Sequence, residues 1–257
     1  MGTSNAHPAR VGWFEITATE PSRSREFYRE LFGWTFDAFG SGDAYCTITA
    51  PGAGMPMGAL RRGDRDALCI GVLCSDAWAT IRTLEPLGAT LAEEPARTPA
   101  GDIHAVVLDG QGNRLGLLEP AAPTARPEPR AAPGPNATAF FEIGTTDLAA
   151  TRRFCQEAFG WSTERDEAAE GVAYYSIQAP GLGEIGGVLD LSGMDGVSDY
   201  AIPGLRVADA TDVLERAEAA GGSAVMGPVS DANGLVIVQF LDPAGNRWSA
   251  FALPTAE

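Results

Sequence analysis

The chain has 257 residues, enough to bury the core of one large domain or of two ordinary ones. Its 18 basic and 34 acidic residues give a net charge of −16, so the average surface repels nucleic acid and anionic lipid. The sequence has no apolar run of the roughly eighteen residues that a membrane-spanning helix needs, and its N-terminus lacks the order of a secretion signal. We therefore expect a cytoplasmic protein without a nucleic-acid or membrane partner.

A short pattern near the N-terminus returns later in the chain. Phe-Glu-Ile at 14–16 precedes Phe-Gly-Trp at 32–34, and the same tripeptides recur at 141–143 and 159–161. The offset is 141 − 14 = 127 residues in both cases. Because chance rarely reproduces spacing and residue type together, the sequence predicts a duplicated structural unit.

The first unit begins with an alternating stretch, Val11 to Thr17. Alternation predicts a strand with Phe14 and Ile16 on one face and with Trp13 and Glu15 on the other. An amphipathic strand of this kind packs one face on a core and leaves the other face for polar or ligand contacts. Trp13 and Glu15 are therefore expected to share the second face.

A helix is predicted to follow, from a cap at Thr19 to a stop at Gly33. Three short strands, separated by Gly and Pro turns, are then expected at residues 35–39, 44–50 and 57–61. This order of elements is a βαβββ module.

The rest of the first half repeats this order with a weaker pattern. A helix is expected to begin near Asp76, to bury Trp78 and Leu87, and to end at Gly88. The strands of this module are predicted at residues 68–74, 90–93, 103–108 and 114–119. Each half of the chain thus consists of two βαβββ modules.

A proline-rich stretch separates the two halves. Six of the sixteen residues from Pro120 to Pro135 are proline, a composition that favours an extended connection over a packed element. We therefore predict a first domain at residues 1–119, a linker at 120–136 and a second domain at 137–257. The second domain repeats the two modules and ends in a hairpin that turns at residues 242–246.

These features resemble the vicinal oxygen chelate superfamily, which includes glyoxalase I, extradiol dioxygenases and bleomycin-binding proteins. The resemblance lies in the strand followed by a helix that ends in Phe-Gly-Trp, and in the Asp-Pro-x-Gly-Asn hairpin before the last strand. The chain is most similar to tandem glyoxalase-like proteins common in actinobacteria. The resemblance implies an α+β fold, in which four βαβββ modules pair into two curved, eight-stranded, cup-like sheets.

Metal-dependent members of the superfamily carry His, Gln or Glu on the first and last strands of their modules. The resemblance places the corresponding positions here on Trp13, Phe140, Gly116 and Ser249. On the first strands of the second modules it places them near Ile70 and Pro203. Aromatic, apolar or very small side chains offer too few donors for a divalent ion. We therefore expect a protein without a metal or other cofactor.

Titratable residues on the predicted inner faces are candidates for catalysis. Glu15 beside Trp13 and Glu142 beside Phe140 are carboxyl groups next to an aromatic wall, where desolvation would raise the pKa into the range of a general acid or base. His104 has the strand parity to face the same cup as Glu15. Glu15, His104 and Glu142 are the candidate catalytic residues.

A purely structural role for these residues is the alternative. Each glutamate could pair with an arginine, for which Arg114 and Arg247 have the right strand parity, and His104 could be a buried structural residue. The candidate ligand-binding residues are Trp13, Tyr45, Gly116, Phe140, Tyr174, Gln239 and Ser249.

Two classes of function remain open. In the first, the protein only binds a planar organic molecule, such as a natural product or drug, in an aromatic-lined cup. In the second, it is a metal-free enzyme of secondary metabolism, such as an isomerase, cyclase, lyase or hydroxylase-like protein, that uses the cup glutamates or histidine for proton transfer. The first cup is favoured, because His104 is matched by Ile237 in the second half and because Gly116 leaves room beside Trp13. A monomer and a homodimer are both compatible with the sequence.

Overall fold

The computed structural model describes residues 10–40, 44–121, 134–169 and 171–254. In this part of the chain, sixteen strands form two eight-stranded sheets, and the segments between them include four α-helices. None of the helices described is long and apolar enough to cross a membrane. Residues 122–133 of the predicted linker lie outside the described part, so the domain boundary stays a prediction.

Each half of the chain follows the predicted βαβββ order twice. The first half contains β1 Arg10–Ala18, α1 Pro21–Phe32, β2 Thr35–Ala38, β3 Tyr45–Thr49, β4 Gly58–Arg62, β5 Ala67–Leu73, α2 Ala77–Leu84, β6 Thr90–Arg97, β7 Ile103–Leu108 and β8 Arg114–Glu119. The second half contains β9 Ala137–Thr145, α3 Leu148–Phe159, β10 Ser162–Arg165, β11 Tyr174–Ala179, β12 Gly183–Asp190, β13 Tyr200–Arg206, α4 Ala210–Ala219, β14 Ser223–Ser230, β15 Val236–Leu241 and β16 Arg247–Ala252.

The first strands of the two modules join each sheet in its middle. The strand orders are β2-β3-β4-β1-β5-β8-β7-β6 and β10-β11-β12-β9-β13-β16-β15-β14. β1 pairs antiparallel with β5, as β9 does with β13, whereas β1 pairs parallel with β4 and β9 with β12. The predicted α+β fold of four modules in two eight-stranded sheets is confirmed.

The first sheet is strongly curled. β4 and β6 are the third and eighth strands in its order, so a flat sheet would hold them about 24 Å apart at the usual spacing of about 4.8 Å. Arg61 on β4 nevertheless contacts Glu93 on β6, with 2.5 Å between Nη2 and Oε2. The outer parts of the sheet therefore bend toward one another, and the inner face becomes a cup.

The outer faces of the sheets pack across the repeat. One core joins the first module of the first half, including α1, to α4 and the last strands of the second half. The other core joins the second module of the first half to the first module of the second half. Each module thus buries its apolar outer face against a module of the opposite half.

An aromatic cluster with a buried hydroxyl lies at the centre of the first of these cores. The rings of Tyr28 and Trp34 stack with centroids 5.1 Å apart, and Trp248 packs edge-on against Tyr28 at 5.5 Å. The hydroxyl of Tyr28 donates to the carboxylate of Asp242 and accepts from Trp248 Nε1 at 3.0 Å. Asp242 is the first residue of the hairpin turn that the sequence predicts, and that turn is therefore bonded to a helix of the other half.

Two local predictions about the helices are wrong. The N-cap of α1 is Glu20 rather than Thr19, and the hydroxyl of Thr19 bonds to Asp66 instead. Proline at 21 has no N–H group of its own to satisfy, and the N–H groups of Arg23 and Ser24 bond to the backbone carbonyl of Glu20.

The helix α2 also buries fewer residues than predicted. Its buried stripe is Ala77, Ile81 and Leu84, and Trp78 lies one residue off this stripe with 48% of its surface exposed. The α-helix ends at Leu84, and a 3₁₀ turn at Glu85–Leu87 follows, in which no residue is buried.

We expect Tyr28→Phe to lower the free energy of unfolding by about 1–3 kcal/mol, because Asp242 and Trp248 each lose a buried hydrogen-bond partner. Urea unfolding followed by circular dichroism measures this change. Tyr175→Phe is the matched control, since it removes the same atom from a half-buried tyrosine, and we expect a change within about 0.5 kcal/mol. Equal stability of Tyr28→Phe and the wild type would show that this bond does not hold the halves together.

Candidate functional site

The inner face of the first cup carries a layer of ion pairs at its mouth. Arg61 and Arg114 both bind the carboxylate of Glu93, at 2.5 and 2.9 Å. The side chain of Arg61 is 26% exposed, that of Arg114 is 20% exposed and that of Glu93 is 29% exposed. Arg65 lies 3.8 Å from the same carboxylate and is more exposed. These four residues form what we call the arginine bridge.

Glu15 lies below the arginine bridge and is almost completely buried. Its Oε1 accepts a hydrogen bond from Arg61 Nε at 2.6 Å, and His104 Nδ1 lies 3.7 Å from the same oxygen. Burial alone would lower the pKa of Arg61, but the charge and hydrogen bond of Glu15 and the charge of Glu93 outweigh it and raise that pKa. Glu15 is thus paired with an arginine, although the partner is Arg61 and not the Arg114 that strand parity indicated.

Two buried nitrogen atoms of this cup, Trp13 Nε1 and His104 Nε2, have no hydrogen-bond partner among the described residues. Trp13 lies over Gly71, where an added Cβ would meet its Cδ1 at 2.9 Å. His104 lies over Gly116, where an added Cβ would meet Nε2 at 3.0 Å. Gly71 and Gly116 are paired residues of β5 and β8, so the two rings cover adjacent positions on the floor of the cup.

Two further side chains line the first cup. Tyr45 is buried, and burial together with the charge of Glu15 raises its pKa to about 12. Cys69 places its Sγ 3.2 Å from the position that a Cβ of Gly116 would take. Burial, and then the charge of Glu15, raises the pKa of Cys69 to about 12, so the thiol stays protonated and is a poor nucleophile.

The second cup surrounds its equivalent glutamate with neutral donors. Tyr200 Oη donates to Glu142 Oε1 at 2.5 Å, and Gln239 Nε2 donates to the same oxygen at 2.6 Å. Arg247, the predicted partner, instead donates to Gln239 Oε1 at 2.9 Å, and its guanidinium lies 3.7 Å from the centroid of the Tyr200 ring. Burial raises the pKa of Glu142, although the Tyr200 bond, the Arg247 charge and the Gln239 bond each lower it.

Aromatic rings cover the floor of the second cup. Phe140 lies over Gly204, and Tyr174 lies over Gly187 with its hydroxyl in the space that a side chain at this glycine would need. Burial, followed by the charge of Glu142, raises the pKa of Tyr174 well above its ordinary value. Ser249 is buried and is the register partner of Gly204 on one side and of Gln239 on the other. The second-half candidates therefore lie on one inner face.

Both halves of the chain match families of one superfamily. Residues 13–118 match the family model described as Glyoxalase-like domain, and residues 137–250 match that of the Glyoxalase/Bleomycin resistance protein/Dioxygenase superfamily. The chain belongs to the vicinal oxygen chelate superfamily. No curated protein matches this chain in sequence.

Solved structures of the superfamily share the fold at low sequence identity. The Mn(II)-bound glyoxalase from Novosphingobium aromaticivorans is 13% identical with a TM-score of 0.63, and the match covers 96% of this chain and 83% of that one. Homoprotocatechuate 2,3-dioxygenase from Arthrobacter globiformis is 15% identical with a TM-score of 0.64, covering 96% and 80%. An extradiol ring-cleaving dioxygenase from B. fuscum is 13% identical with a TM-score of 0.63, covering 97% and 73%.

The residues of this vicinal oxygen chelate protein do not fit a metal site of the kind that the superfamily implies. Within the described residues, no three His, Cys, Asp or Glu side chains come together in a group that could hold an ion. Ile70 lies in an outer core and not in the cup, so the inner residues of β5 are its neighbours Cys69 and Gly71. On β13, likewise, the inner residue is Gly204 beneath Phe140, next to the predicted Pro203.

The structure brings together the sequence-predicted residues in two sets. Trp13, Glu15, Tyr45, His104 and Gly116 share the first cup, and Phe140, Glu142, Tyr174, Gln239 and Ser249 share the second. Sequence reasoning missed Arg61, Glu93, Cys69 and Tyr200. For Cys69 a signal existed, because this residue is the register partner of Glu15 on the adjacent strand.

The raised pKa of Glu142 makes a prediction about stability and pH. The folded protein holds this proton more tightly than the unfolded chain, whose pKa is near 4.5, so the stabilisation is complete below pH 4.5 and is lost as pH rises through the folded pKa. Each unit of difference between the two pKa values corresponds to about 1.4 kcal/mol. We expect Glu142→Gln, which keeps an acceptor for Tyr200 and stays neutral, to gain stability relative to the wild type as pH rises above 4.5.

Glu15→Gln is the matched variant in the other half. It removes the buried charge opposite Arg61, so we expect it to lower the free energy of unfolding at neutral pH by about 1–3 kcal/mol. Urea unfolding of both variants between pH 4 and pH 9 provides the measurement. If the stability of Glu142→Gln ran parallel to that of the wild type over this range, the pKa of Glu142 would be unperturbed.

Proposed function

We propose that this protein binds a planar organic small molecule, such as a natural product or drug, in its first cup and without a metal ion. One observation carries the proposal. Trp13 Nε1 and His104 Nε2 are buried over adjacent glycines and lack partners among the described residues. A buried polar atom without a hydrogen-bond partner lowers the stability of a folded protein by about 1–3 kcal/mol. A ligand oxygen or nitrogen that bonded to this atom would remove the penalty.

The chemistry of these two rings favours a flat ligand with a polar atom at its edge. The indole N–H of Trp13 can only donate, whereas Nε2 of His104 donates or accepts according to the tautomer of the ring. A carbonyl or hydroxyl group of the ligand would satisfy both atoms, and the face of Trp13 supplies aromatic contact.

The second cup is a weaker candidate for binding. Its carboxylate, amide, phenol and guanidinium groups, from Glu142, Gln239, Tyr200 and Arg247, bond to one another. A ligand would have to break these bonds before it formed new ones, which reduces the net gain of binding.

Proton transfer in the first cup is the second candidate function, and one contact favours it. The carboxylate of Glu15 lies on the Nδ1 side of His104, while Nε2, on the opposite side of the ring, has no partner in the part of the chain that the structure describes. A carboxylate that hydrogen-bonds to one nitrogen of an imidazole orients the ring for general acid or base catalysis at the other nitrogen. Here the 3.7 Å separation is longer than a hydrogen bond and would have to shorten when the ligand binds. His104 would then exchange a proton with the ligand, and Glu15 would position it. In the second cup, Glu142 would be the group that exchanges a proton with a ligand, because burial raises its pKa.

Variants of the two unpartnered nitrogens test the binding proposal. We expect Trp13→Phe and His104→Asn each to weaken binding of neutral planar probes, benzamide and 2-naphthamide, by roughly two- to tenfold, because each loses one hydrogen bond. His104→Gln is the matched control, since its longer side chain can place an amide group near the position of Nε2 and should keep the affinity. Isothermal titration calorimetry measures the dissociation constant of each probe for the wild type and for the three variants.

The same variants separate binding from catalysis. If the wild type converts a bound compound and His104→Gln binds that compound without converting it, proton transfer by His104 is supported. If the wild type returns every bound compound unchanged, the protein is a binding module. Affinities that are the same in Trp13→Phe, His104→Asn and the wild type would contradict the placement of the ligand.

Metal independence makes a separate prediction. We expect elemental analysis of purified protein to give well below one equivalent of zinc, iron or manganese, and a chelator such as EDTA to leave probe affinity unchanged, because the aligned positions supply too few donors. Stoichiometric metal whose removal abolishes binding would overturn this part of the proposal.

A further inference from the structure

The mouth of the first cup concentrates positive charge in an acidic protein. Arg61, Arg65 and Arg114 lie within 4 Å of one carboxylate, that of Glu93, and Glu15 is the second acid that Arg61 contacts. Three arginines thus face two glutamates, although the chain as a whole has 18 basic and 34 acidic residues. This excess of arginine indicates a place for an additional negative charge.

Arginine is the side chain best suited to bind a carboxylate. Its planar guanidinium presents several donors in a fixed fork, and bonds between two charged groups are about twice as strong as neutral ones. Arg61 and Arg114 come from different strands, β4 and β8, and both direct a terminal nitrogen at Glu93. The geometry is that of a carboxylate-binding site with a side chain of the protein in it.

Glu93 lies where the sheet holds it least regularly. It belongs to β6, the last strand in the order of the first sheet, and the pairing of β6 with β7 shifts register on both sides of it, between Leu91 and Glu93 and between Glu93 and Ala96. Irregular pairing of this kind interrupts the hydrogen-bond ladder of the strand. The Glu93 side chain is also 29% exposed, so solvent reaches the bridge from the mouth.

The bridge is connected to the floor of the cup. Arg61 contacts both Glu93 at the mouth and Glu15 below it, and Glu15 lies beside His104. A ligand with a negative group at one end and a planar body with a polar edge at the other matches this order of groups, from the arginines at the mouth to the two nitrogens on the floor that lack partners among the described residues.

We infer that the ligand of the first cup is a planar organic acid, whose carboxylate binds Arg61 and Arg114 in the place that Glu93 takes in the structure. The inference rests on the proposed function of the first cup. In it, Glu93 competes with the ligand for the two arginines, and the binding of the acid displaces the Glu93 side chain toward solvent.

Matched acids and amides test the inference. Benzoate and 2-naphthoate carry the carboxylate, whereas benzamide and 2-naphthamide have almost the same shape without the charge. We expect the wild type to bind each acid more tightly than its amide in calorimetry. We expect Glu93→Gln, which frees the arginines, to strengthen binding of the acids about tenfold or more and to change binding of the amides less than twofold.

Two variants control for other effects of the substitution. Glu94→Gln changes the net charge equally, from the exposed neighbour of Glu93 on the same strand, and should leave acid binding within about twofold of the wild type. Adding Arg114→Met to Glu93→Gln should remove the gain. Acetate and inorganic phosphate, tested at the same concentrations, show whether the arginines bind any small anion, and binding as tight as that of the planar acids would overturn the assignment.

The outcomes separate this inference from the proposed function. Equal binding of acids and amides, or equal effects of Glu93→Gln and Glu94→Gln, would overturn the carboxylate assignment and leave the first cup as a site for neutral molecules. If neither acids nor amides bind to the wild type or to Glu93→Gln, the proposed function fails as well. The comparison of acid and amide in the wild type needs no variant, so it decides the question even if Glu93→Gln folds poorly.

Discussion

The packing of each module against a module of the opposite half is the constraint on which the rest of this structure depends. An eight-stranded sheet has two faces, and here the apolar faces meet in two cores that cross the repeat. Because the outer faces supply most of the buried apolar surface, the inner faces need not be apolar for the protein to fold. The cups can therefore contain charged pairs, buried amides and even unpartnered nitrogens.

The duplication has placed one carboxylate in two electrostatic environments. Glu15 and Glu142 are equivalent residues of β1 and β9, and burial penalises the charge of both. In the first cup, the guanidinium of Arg61 contacts the carboxylate directly. In the second cup, the carboxylate contacts a phenol and an amide, and Arg247 bonds to the amide of Gln239 and not to the carboxylate. Burial raises the pKa of Glu142, and its neutral donors offset the cost of burying the charge less than a cation in direct contact would.

The sequence was sufficient for the fold and for the inner faces of β1 and β9, whereas on β5 and β13 the inner residues lie next to the predicted Ile70 and Pro203. Repeat spacing and strand alternation placed Trp13 and Glu15 opposite the core, and the repeat matched Tyr45 to Tyr174. The partners of Glu93 were harder to predict, because strand parity says which face a residue is on but not how far a sheet curls. Arg61 meets Glu93 only because the curl of the sheet brings β4 to β6. Such contacts depend on the curvature of the sheet, and the alternation of residues along a strand gives no information about this curvature.

Glycine residues make room for the rings on the inner faces, where the resemblance to the superfamily implies metal ligands. Gly71 and Gly116 in the first cup, and Gly187 and Gly204 in the second, each have an aromatic or imidazole side chain within 3.3 Å of the position that a Cβ would take. Glycine lets a neighbouring ring approach the strand closely, because it carries no Cβ at that point. A larger residue at any of these four glycines would therefore crowd the ring beside it. In the first cup, two ring nitrogens beside these glycines have no partner among the described residues, which is the reason that binding is assigned to that cup and not to the second.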